Sequence, residues 1–450
     1  MLIARNIRFV VVVPGEAMFR LLLLVYNILF FPLAFLLANF ISLFNTKIRR
    51  GLTGRKNTFQ YIKKALPKFD NNQPKILFHV SSYGEFLQAR PVLQHLKKIN
   101  PRLCLIVTVF SPSGYDNIKL EPPIDIICYL PIDGFFQMKR FISLISPQVV
   151  VIIRHDIWPN FVWRIWKENI PLLLIDASLP NKSTYTFPVL KTLTRTLYRQ
   201  MTKILTISEN ETEKFRELTG EVEKIVNVGD TKYDQVFERS KLSNNFKEIS
   251  GHPIFKNKNI FVCGSSWEED EAFIIPAFQN ITRKVENAFL IIAPHEPYKK
   301  RIEEIKKTCR ENGLRCVCLS ALASENDSVQ CLIIDQIGLL ANIYSFAKVA
   351  FVGGSFYTKI HNVLEPAIYG VPILFGPKMN NSMEAENLLA HEAAIKVGSI
   401  KQISDLSVRL FLEPEFAAKY GNRAKEIVMK NVGSSEKIAR MLFEKYLSKS

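Results

Sequence analysis

From residue 75 onward, short apolar runs alternate with longer amphipathic stretches. "KILFHV" (75–80), "LCLIVTV" (103–109), "QVVVII" (148–153) and "PLLLI" (171–175) are each too short for a helix and rich in β-branched residues. Continuous apolar strands of this kind are buried on both faces, as in a parallel sheet covered by helices. Between Phe237 and Lys258 the text turns polar, with Ser, Asn, Gly, Pro and Lys and little periodicity, and this stretch reads as an interdomain linker. A second series follows: "NIFVC" (259–263), "AFLIIA" (288–293), "CLII" (331–334), "KVAFVGG" (348–354) and "VPILFG" (371–376). The pattern predicts an α/β fold of two Rossmann-like domains facing a cleft, a layout common among nucleotide-sugar glycosyltransferases.

The segment from Leu21 to Phe44, "LLLLVYNILFFPLAFLLANFISLF", breaks this rhythm because it carries no charge at all. It is long enough to cross about 30 Å of hydrocarbon as a helix. Lys47, Arg49, Arg50, Arg55 and Lys56 follow it and would hold the rest of the chain on the cytoplasmic side. A cleaved signal peptide fits poorly, since no small-residue cleavage site ends the run. A membrane-spanning anchor is the expectation. Pro32 within the run and Arg20 at its start favour the competing form, a helix lying in the interface. The expected division is 1–50 for the anchor and its basic flank, 51–240 for a first domain, and 241–450 for a second domain with the terminal helices.

Composition narrows the function. The chain has 450 residues, of which 48% are hydrophobic, which excludes a disordered protein and allows two or three domains of roughly 150 residues. A net charge of +17 points to an anionic partner or surface. The basic residues are dispersed and no nucleic-acid-binding motif occurs, so nucleic acid is excluded in favour of phospholipid or a phosphorylated substrate. Seven cysteines and seven histidines form no zinc or disulfide pattern, so no metal and no cofactor are expected. Cys316-Val-Cys318 reads as strand packing.

Candidate chemistry collects where predicted strands end. In "FHVSSYGEFLQARPVL" (78–93) a strand yields to Ser81, Ser82, Tyr83 and Gly84, and Glu85 begins a helix. A carboxylate there can simply complement the helix N-terminus, or it can act at the carboxyl edge of the sheet, where α/β proteins place catalytic groups. "RHDIWPN" (154–160) follows a fully apolar strand with Arg154, His155 and Asp156, and reads as a solvated charged turn or as a site. "VGDTKYD" (228–234) sets Lys232 between two aspartates, where a surface salt bridge is the plain alternative. In "VCGSSWEEDEAF" (262–273), small residues Gly264, Ser265 and Ser266 would let backbone N–H groups approach a phosphate, unless the turn is an ordinary N-cap. "VGGSFYTKIHNVLEPAIYGVPILFGP" (352–377) crowds His361, Asn362 and Glu365 at one edge, with Glu365 suited to a ribose diol.

The motifs "SSYGE", "TVFSPSGYD", "YLPID", "DIWPN", "NVGDTKYD", "GSSWEEDE", "APHEP", "FVGGS" and "HNVLEP" together resemble, in order and spacing, the Kdo (3-deoxy-D-manno-octulosonate) transferases of lipopolysaccharide synthesis. The resemblance implies a GT-B fold, a CMP-Kdo donor bound by the second domain, and a lipid A precursor (lipid IVA) as acceptor on the first. It also implies inversion without a metal, on the cytoplasmic side of an anionic inner membrane. Glu85 matches the family's catalytic base, and Lys232 its stabilising lysine. CMP contacts are carried over to Pro294 and His295, Gly338, Leu339 and Leu340, and Asn362, Val363, Leu364 and Glu365.

This chain departs from the family at three places. A Glu-Thr-Glu stretch is Arg154-His155-Asp156, so that only Asp156 keeps an acid. Pro-Arg-His is Pro294-His295-Glu296, and Gly-Glu-Leu is Gly338-Leu339-Leu340. Two other functions share parts of the pattern: a GT-B enzyme using a UDP- or ADP-sugar, and a catalytically inactive membrane-bound binding protein. Donor binding separates the first, and the combination of Glu85, Lys232 and Glu365 at strand ends argues against the second.

Overall fold

A computed structural model of the chain describes residues 14–70, 72–179, 188–241, 252–324 and 329–448. The chain forms two compact units. The first comprises residues up to Gln235 together with those from Gly433 on, and the second comprises Val236–Val432.

The first unit is built on a seven-stranded sheet of β1 (Lys75–Val80), β2 (Cys104–Val109), β3 (Ile126–Tyr129), β4 (Val149–Ile153), β5 (Leu172–Ala177), β6 (Lys203–Thr206) and β7 (Ile225–Asn227). Its strand order is β3-β2-β1-β4-β5-β6-β7, and all pairings are parallel. Period-two alternation divides each strand between two helical layers. Leu77, Ile106, Val150 and Ile152 enter one core, while Ile76, Phe78, Leu105, Val149 and Val151 enter the other.

The second unit repeats the plan with β8 (Asn259–Ser266), β9 (Ala288–Pro294), β10 (Cys316–Cys318), β11 (Cys331–Ile333), β12 (Val349–Val352), β13 (Ile373–Phe375) and β14 (Ile395–Lys396). The order is β10-β11-β9-β8-β12-β13-β14, again parallel. Cys316–Cys318 is one of the two edge strands, and all seven cysteines are free thiols.

Two expectations about organisation change. Residues 433–448 do not belong to the second unit, because the Ser434–Tyr446 helix puts Ile438, Ala439 and Leu442 into the same core as Phe78 and Leu93. Asp234 fixes its start, accepting hydrogen bonds from the backbone N–H of Gly433 (2.8 Å) and Ser435 (3.2 Å). Apolar helical spacing shows that a helix packs, not which domain it packs on. Of the expected linker, Phe237–Lys241 is helical, Pro253–Phe255 forms a single 3₁₀ turn, and 242–251 lie outside the described residues.

The apolar N-terminal segment is helical from Pro14 to Ser42, with a π-helical turn over Tyr26–Phe30 just before Pro32, which has no N–H to continue the ladder. From Met18 to Ser42 it is long and apolar enough to cross a membrane. Yet Phe19 and Leu23 are buried in the core of the first unit, and Phe19 meets the Trp163 ring edge-on. Residues 1–50 are therefore not a detachable anchor.

Candidate active site

In the first unit the strand order reverses between β1 and β4, so the crevice at their carboxyl ends is the switch point where open α/β sheets bind ligands. Glu85 follows β1 and Asp156 follows β4. The Ser82 hydroxyl caps the Tyr83–Ile99 helix by accepting from the Glu85 N–H (3.3 Å). Glu85, 8% exposed, turns back so that Oε2 accepts the Ser81 N–H at 2.6 Å. Its Oε1 receives no hydrogen bond from the described residues. The carboxylate thus complements the helix start and still presents one oxygen for chemistry.

Asp156 is held by a residue that the sequence reading passed over. His79 lies in the middle of the sheet with 0% exposure, its Nδ1 3.0 Å from Thr108 Oγ1 and its Nε2 3.0 Å from Asp156 Oδ2. The Thr108 hydroxyl also lies 3.2 Å from the Phe78 carbonyl, and the Phe161 ring meets the imidazole edge-on. In the tautomer that lets His79 donate to Asp156, the proton sits on Nε2. A histidine inside an apolar strand, two strand positions before Ser81, was the available signal.

Arg154 has a left-handed backbone (φ 63°), unusual for a side chain of that size, and its Nε donates to Gln88 Oε1 at 2.8 Å. Gln88 is one helical turn beyond Glu85, so a cation stands on the face that carries the acid. Asp133, in "YLPID", accepts the N–H groups of Asn160 (3.0 Å) and Phe161 (2.9 Å) and so caps the helix that "DIWPN" begins. Burial pushes the Asp133 carboxyl up to about 7, against the lowering effect of those hydrogen bonds.

Lys232 follows β7, at the far edge, but its turn reaches back towards the switch point. Asp176, at the end of β5, accepts the Thr231 N–H (3.0 Å) and the Thr231 hydroxyl. Burial raises the Asp176 pKa, and neighbouring Asp230 raises it further. Asp230 accepts the Lys232 N–H at 2.8 Å, and Asp234 caps the terminal helix. Both aspartates beside Lys232 are buried and take backbone N–H groups, a part that spacing alone does not assign them.

In the second unit the turn that follows Ser265 and Ser266 is held by the protein's own carboxylate. Asp270 accepts the N–H of Trp267 (2.9 Å), Gly354 (2.6 Å) and Phe356 (3.1 Å). The Ser266 hydroxyl donates inward to Glu271 (2.7 Å), which pairs with Arg301. An acid thus takes three backbone donors around this turn, and the N-cap of the helix is Trp267 rather than a serine. Gly353 is required by close approach, since a Cβ would lie 2.4 Å from the Ser265 carbonyl oxygen.

Around this turn the ends of β8, β9 and β12 carry a ring cluster. His295 stacks on His361 (4.3 Å between centroids) and lies 5.0 Å from Trp267, which also meets Tyr357. Trp267 Nε1 donates to His361 Nε2 at 3.0 Å, which requires that nitrogen to be unprotonated. Burial, with the His295 and Lys359 charges adding to it, pushes the His361 pKa down to about 4. Trp267 and Tyr357 were not singled out in the sequence.

Of the remaining expected contacts, Pro294 ends β9 and Leu339 caps the short Leu340–Ile343 helix. Asn362 Oδ1 accepts the Leu364 N–H (3.1 Å), and Val363 caps the Leu364–Ala367 turn. Arg239 joins the last two segments: Nη2 donates to the Gly338 carbonyl (3.1 Å) and Nη1 lies 3.5 Å from Glu365 Oε1. Burial raises the Glu365 pKa, while Arg239 and Asn362 lower it. Among the described residues no group of three or more His, Cys, Asp or Glu could hold a metal.

A family model described as 3-deoxy-D-manno-octulosonic-acid transferase (kdotransferase) matches residues 54–235. The chain is 30% identical over 343 residues to the 3-deoxy-D-manno-octulosonic acid transferase of Rickettsia conorii, covering 74% of this chain and 70% of that one. It is 25% identical to the Haemophilus influenzae protein of the same name, with 82% and 86% covered. Among solved structures, a UDP-GlcNAc 2-epimerase from Neisseria meningitidis superposes with a TM-score of 0.61 at 16% identity, covering 82% of this chain and all of that one. A glycosyltransferase from Rickettsia africae gives 0.53 at 12% identity, over 83% of this chain and 100% of that one. At such identities these two likenesses speak for the two-domain fold alone. With both sheets, the helical N-terminus and the shared sequence in place, the chain is a glycosyltransferase of GT-B fold and belongs to the 3-deoxy-D-manno-octulosonic acid transferase family.

Proposed function

We propose that the protein transfers Kdo from CMP-Kdo to lipid IVA with inversion and without a metal, on the cytoplasmic side of the inner membrane. The observation that carries this reading is Glu85, with one carboxylate oxygen anchored to Ser81 and the other, at the switch point, bonded by no described residue. An inverting transfer needs one base on the acceptor side. Glu85 takes the proton of the acceptor hydroxyl as that oxygen bonds to the anomeric carbon, while the bond from this carbon to the CMP phosphate breaks and CMP leaves with the electron pair.

Charge builds on the departing phosphate, and the role assigned to the Lys232 ammonium, on a turn anchored by Asp176, is to offset that charge. Asp156, oriented by His79, stabilises positive charge as the sugar loosens. CMP-Kdo is assigned to the second unit, with Glu365 accepting the ribose hydroxyls and Asn362, His295 and the Gly338–Leu340 turn beside it. Ser265 contributes backbone only. The acceptor is assigned to the first unit.

The test incubates the full-length enzyme with lipid IVA and CMP-Kdo and weighs the glycolipid. Addition of one or more Kdo masses supports the reading. No addition from CMP-Kdo, with transfer from a UDP- or ADP-sugar instead, overturns it.

A further inference from the structure

We infer that the apolar N-terminal helix does not cross the bilayer but enters a single leaflet, leaving both of its ends on the cytoplasmic side. This inference rests on the membrane attachment proposed above and adds its topology. A spanning helix must deliver its two flanks to opposite sides of about 30 Å of hydrocarbon. Here both flanks are docked on the same folded unit.

On the entry side, Phe19 and Leu23 are buried in the core. Tyr26 Oη donates to Asp133 (3.1 Å), and Asn27 exchanges hydrogen bonds with Asn160, 2.9 Å each way. Phe31 still lies close to Gly134. On the exit side, Asn45 caps the Thr46–Lys56 helix, whose Gly51 is buried beside Pro112. Arg50 pairs with Asp116 (2.6 Å), and Arg55 donates to the carbonyls of Leu130 and Phe110. Asp133, Asn160, Pro112 and Asp116 are all residues of the first unit.

Ahead of Pro32 the outer face of the helix is also exposed, with Ile28 at 69% and Leu29 at 58%. Pro32–Phe44 is the stretch that no hydrogen bond or ring contact among the described residues ties to the first unit beyond this N-terminal segment. At 1.5 Å per residue it reaches about 20 Å, enough for one leaflet and too short for two. Its surface is apolar and exposed, with Leu36 at 67%, Leu43 at 69% and Phe44 at 79%. The polar groups within it close on the helix itself: Asn39 Nδ2 donates to the Phe35 carbonyl and the Ser42 hydroxyl to that of Asn39. That arrangement suits lipid, where each unmet donor is costly. The returning helix carries Lys47, Arg49 and Lys56, all exposed. These cations match anionic headgroups at the level where the chain leaves the leaflet.

The topology is read with one epitope ahead of Met1 and another after Ser450 in the full-length protein. Protease is added to spheroplasts, which expose the outer side, and to inside-out vesicles, which expose the cytoplasmic side. Both epitopes should survive in spheroplasts and both should be removed in inside-out vesicles. An N-terminal epitope cut in spheroplasts, with the C-terminal one protected, overturns the inference and leaves attachment standing. Failure of the protein to float with the vesicles overturns attachment and the inference together.

Discussion

The two sheets share one plan, yet their carboxyl edges use acids in opposite ways. At the edge of the second unit Asp270 is filled by three backbone N–H groups, Glu271 by Ser266 and Arg301, and Glu365 faces Arg239. At the edge of the first unit Glu85 keeps an oxygen that no described residue bonds, and Asp156 is met from one side by His79. Histidines differ in the same sense: His79 is hydrogen-bonded at both ring nitrogens, whereas His295 and His361 stack into a ring surface. A carboxylate whose lone pairs are taken by its own backbone builds a platform, while one left partly open can accept a proton during reaction. The fold is common to both units, and the difference lies in which donors the turns leave over.

The sharpest way to break this comparison is Glu85→Gln. The amide oxygen can still accept the Ser81 N–H, so fold and donor affinity should persist while turnover falls by about 10² to 10⁴-fold. Near-normal turnover would remove Glu85 from the role of base. Next comes His79. Glutamine places its amide nitrogen near where Nε2 sits and can still donate to Asp156, whereas asparagine reaches only towards Thr108. His79→Asn should lower kcat by about 10- to 100-fold with little change in acceptor KM, and His79→Gln should recover most of it. Equal loss in the two variants, tracking stability, would make His79 a packing residue only.

Much of this edge was legible in the sequence because strand-to-helix turns announce themselves. The apolar run to Val80, then Ser82 and Glu85, fixes a strand end, a cap and an acid without any tertiary information. What could not be read is which partner a side chain chooses once several strands converge. Asp230 and Asp234 look like ion-pair partners of Lys232 from spacing, and spacing gives no hint that each also takes backbone N–H groups, Asp234 those of Gly433 and Ser435 across the chain. The acidic run 268–271 looks like dipole compensation, yet Asp270 also takes the N–H of Gly354, 84 residues away at the end of β12, the strand beside β8. The N-terminal run passes as a spanning helix by length, and only its contacts with Trp163 and Asn160 reveal docking. Long-range pairing decided each case, and local pattern carries no record of it.

Asp270 sharpens the other half of the comparison. Asp270→Ala leaves three buried or half-buried N–H groups without their acceptor, and each such loss costs about 1–3 kcal/mol. The second unit should lose stability by several kcal/mol, read as a lower denaturant midpoint, while the first unit keeps its own transition. If Asp270→Ala instead weakened CMP binding with stability intact, the acid would belong to the site and the contrast between the edges would fail.

The smallest expected effect concerns Asp133, which sits in the first unit but behaves like the platform acids of the second. Its carboxyl is pushed up to about 7 by burial, while an unfolded chain returns it to about 3.9. Between these values the native state binds more protons than the unfolded one, so this group's contribution to stability decreases as pH rises from about 4 to about 7 and is level above that. Native packing makes ionisation of Asp133 costly, and deprotonation is tolerated because Asn160 and Phe161 donate to it. Denaturation of the wild type should therefore show an Asp133-dependent loss on the order of 1–3 kcal/mol between pH 5 and 7.5. Asp133→Asn, which cannot ionise, should flatten that part of the profile while lowering stability overall, because one capped N–H loses its acceptor. A profile for Asp133→Asn parallel to the wild type across this range would show that Asp133 titrates at an ordinary carboxylate pH, and that its buried place between Asn160 and Tyr26 carries no proton.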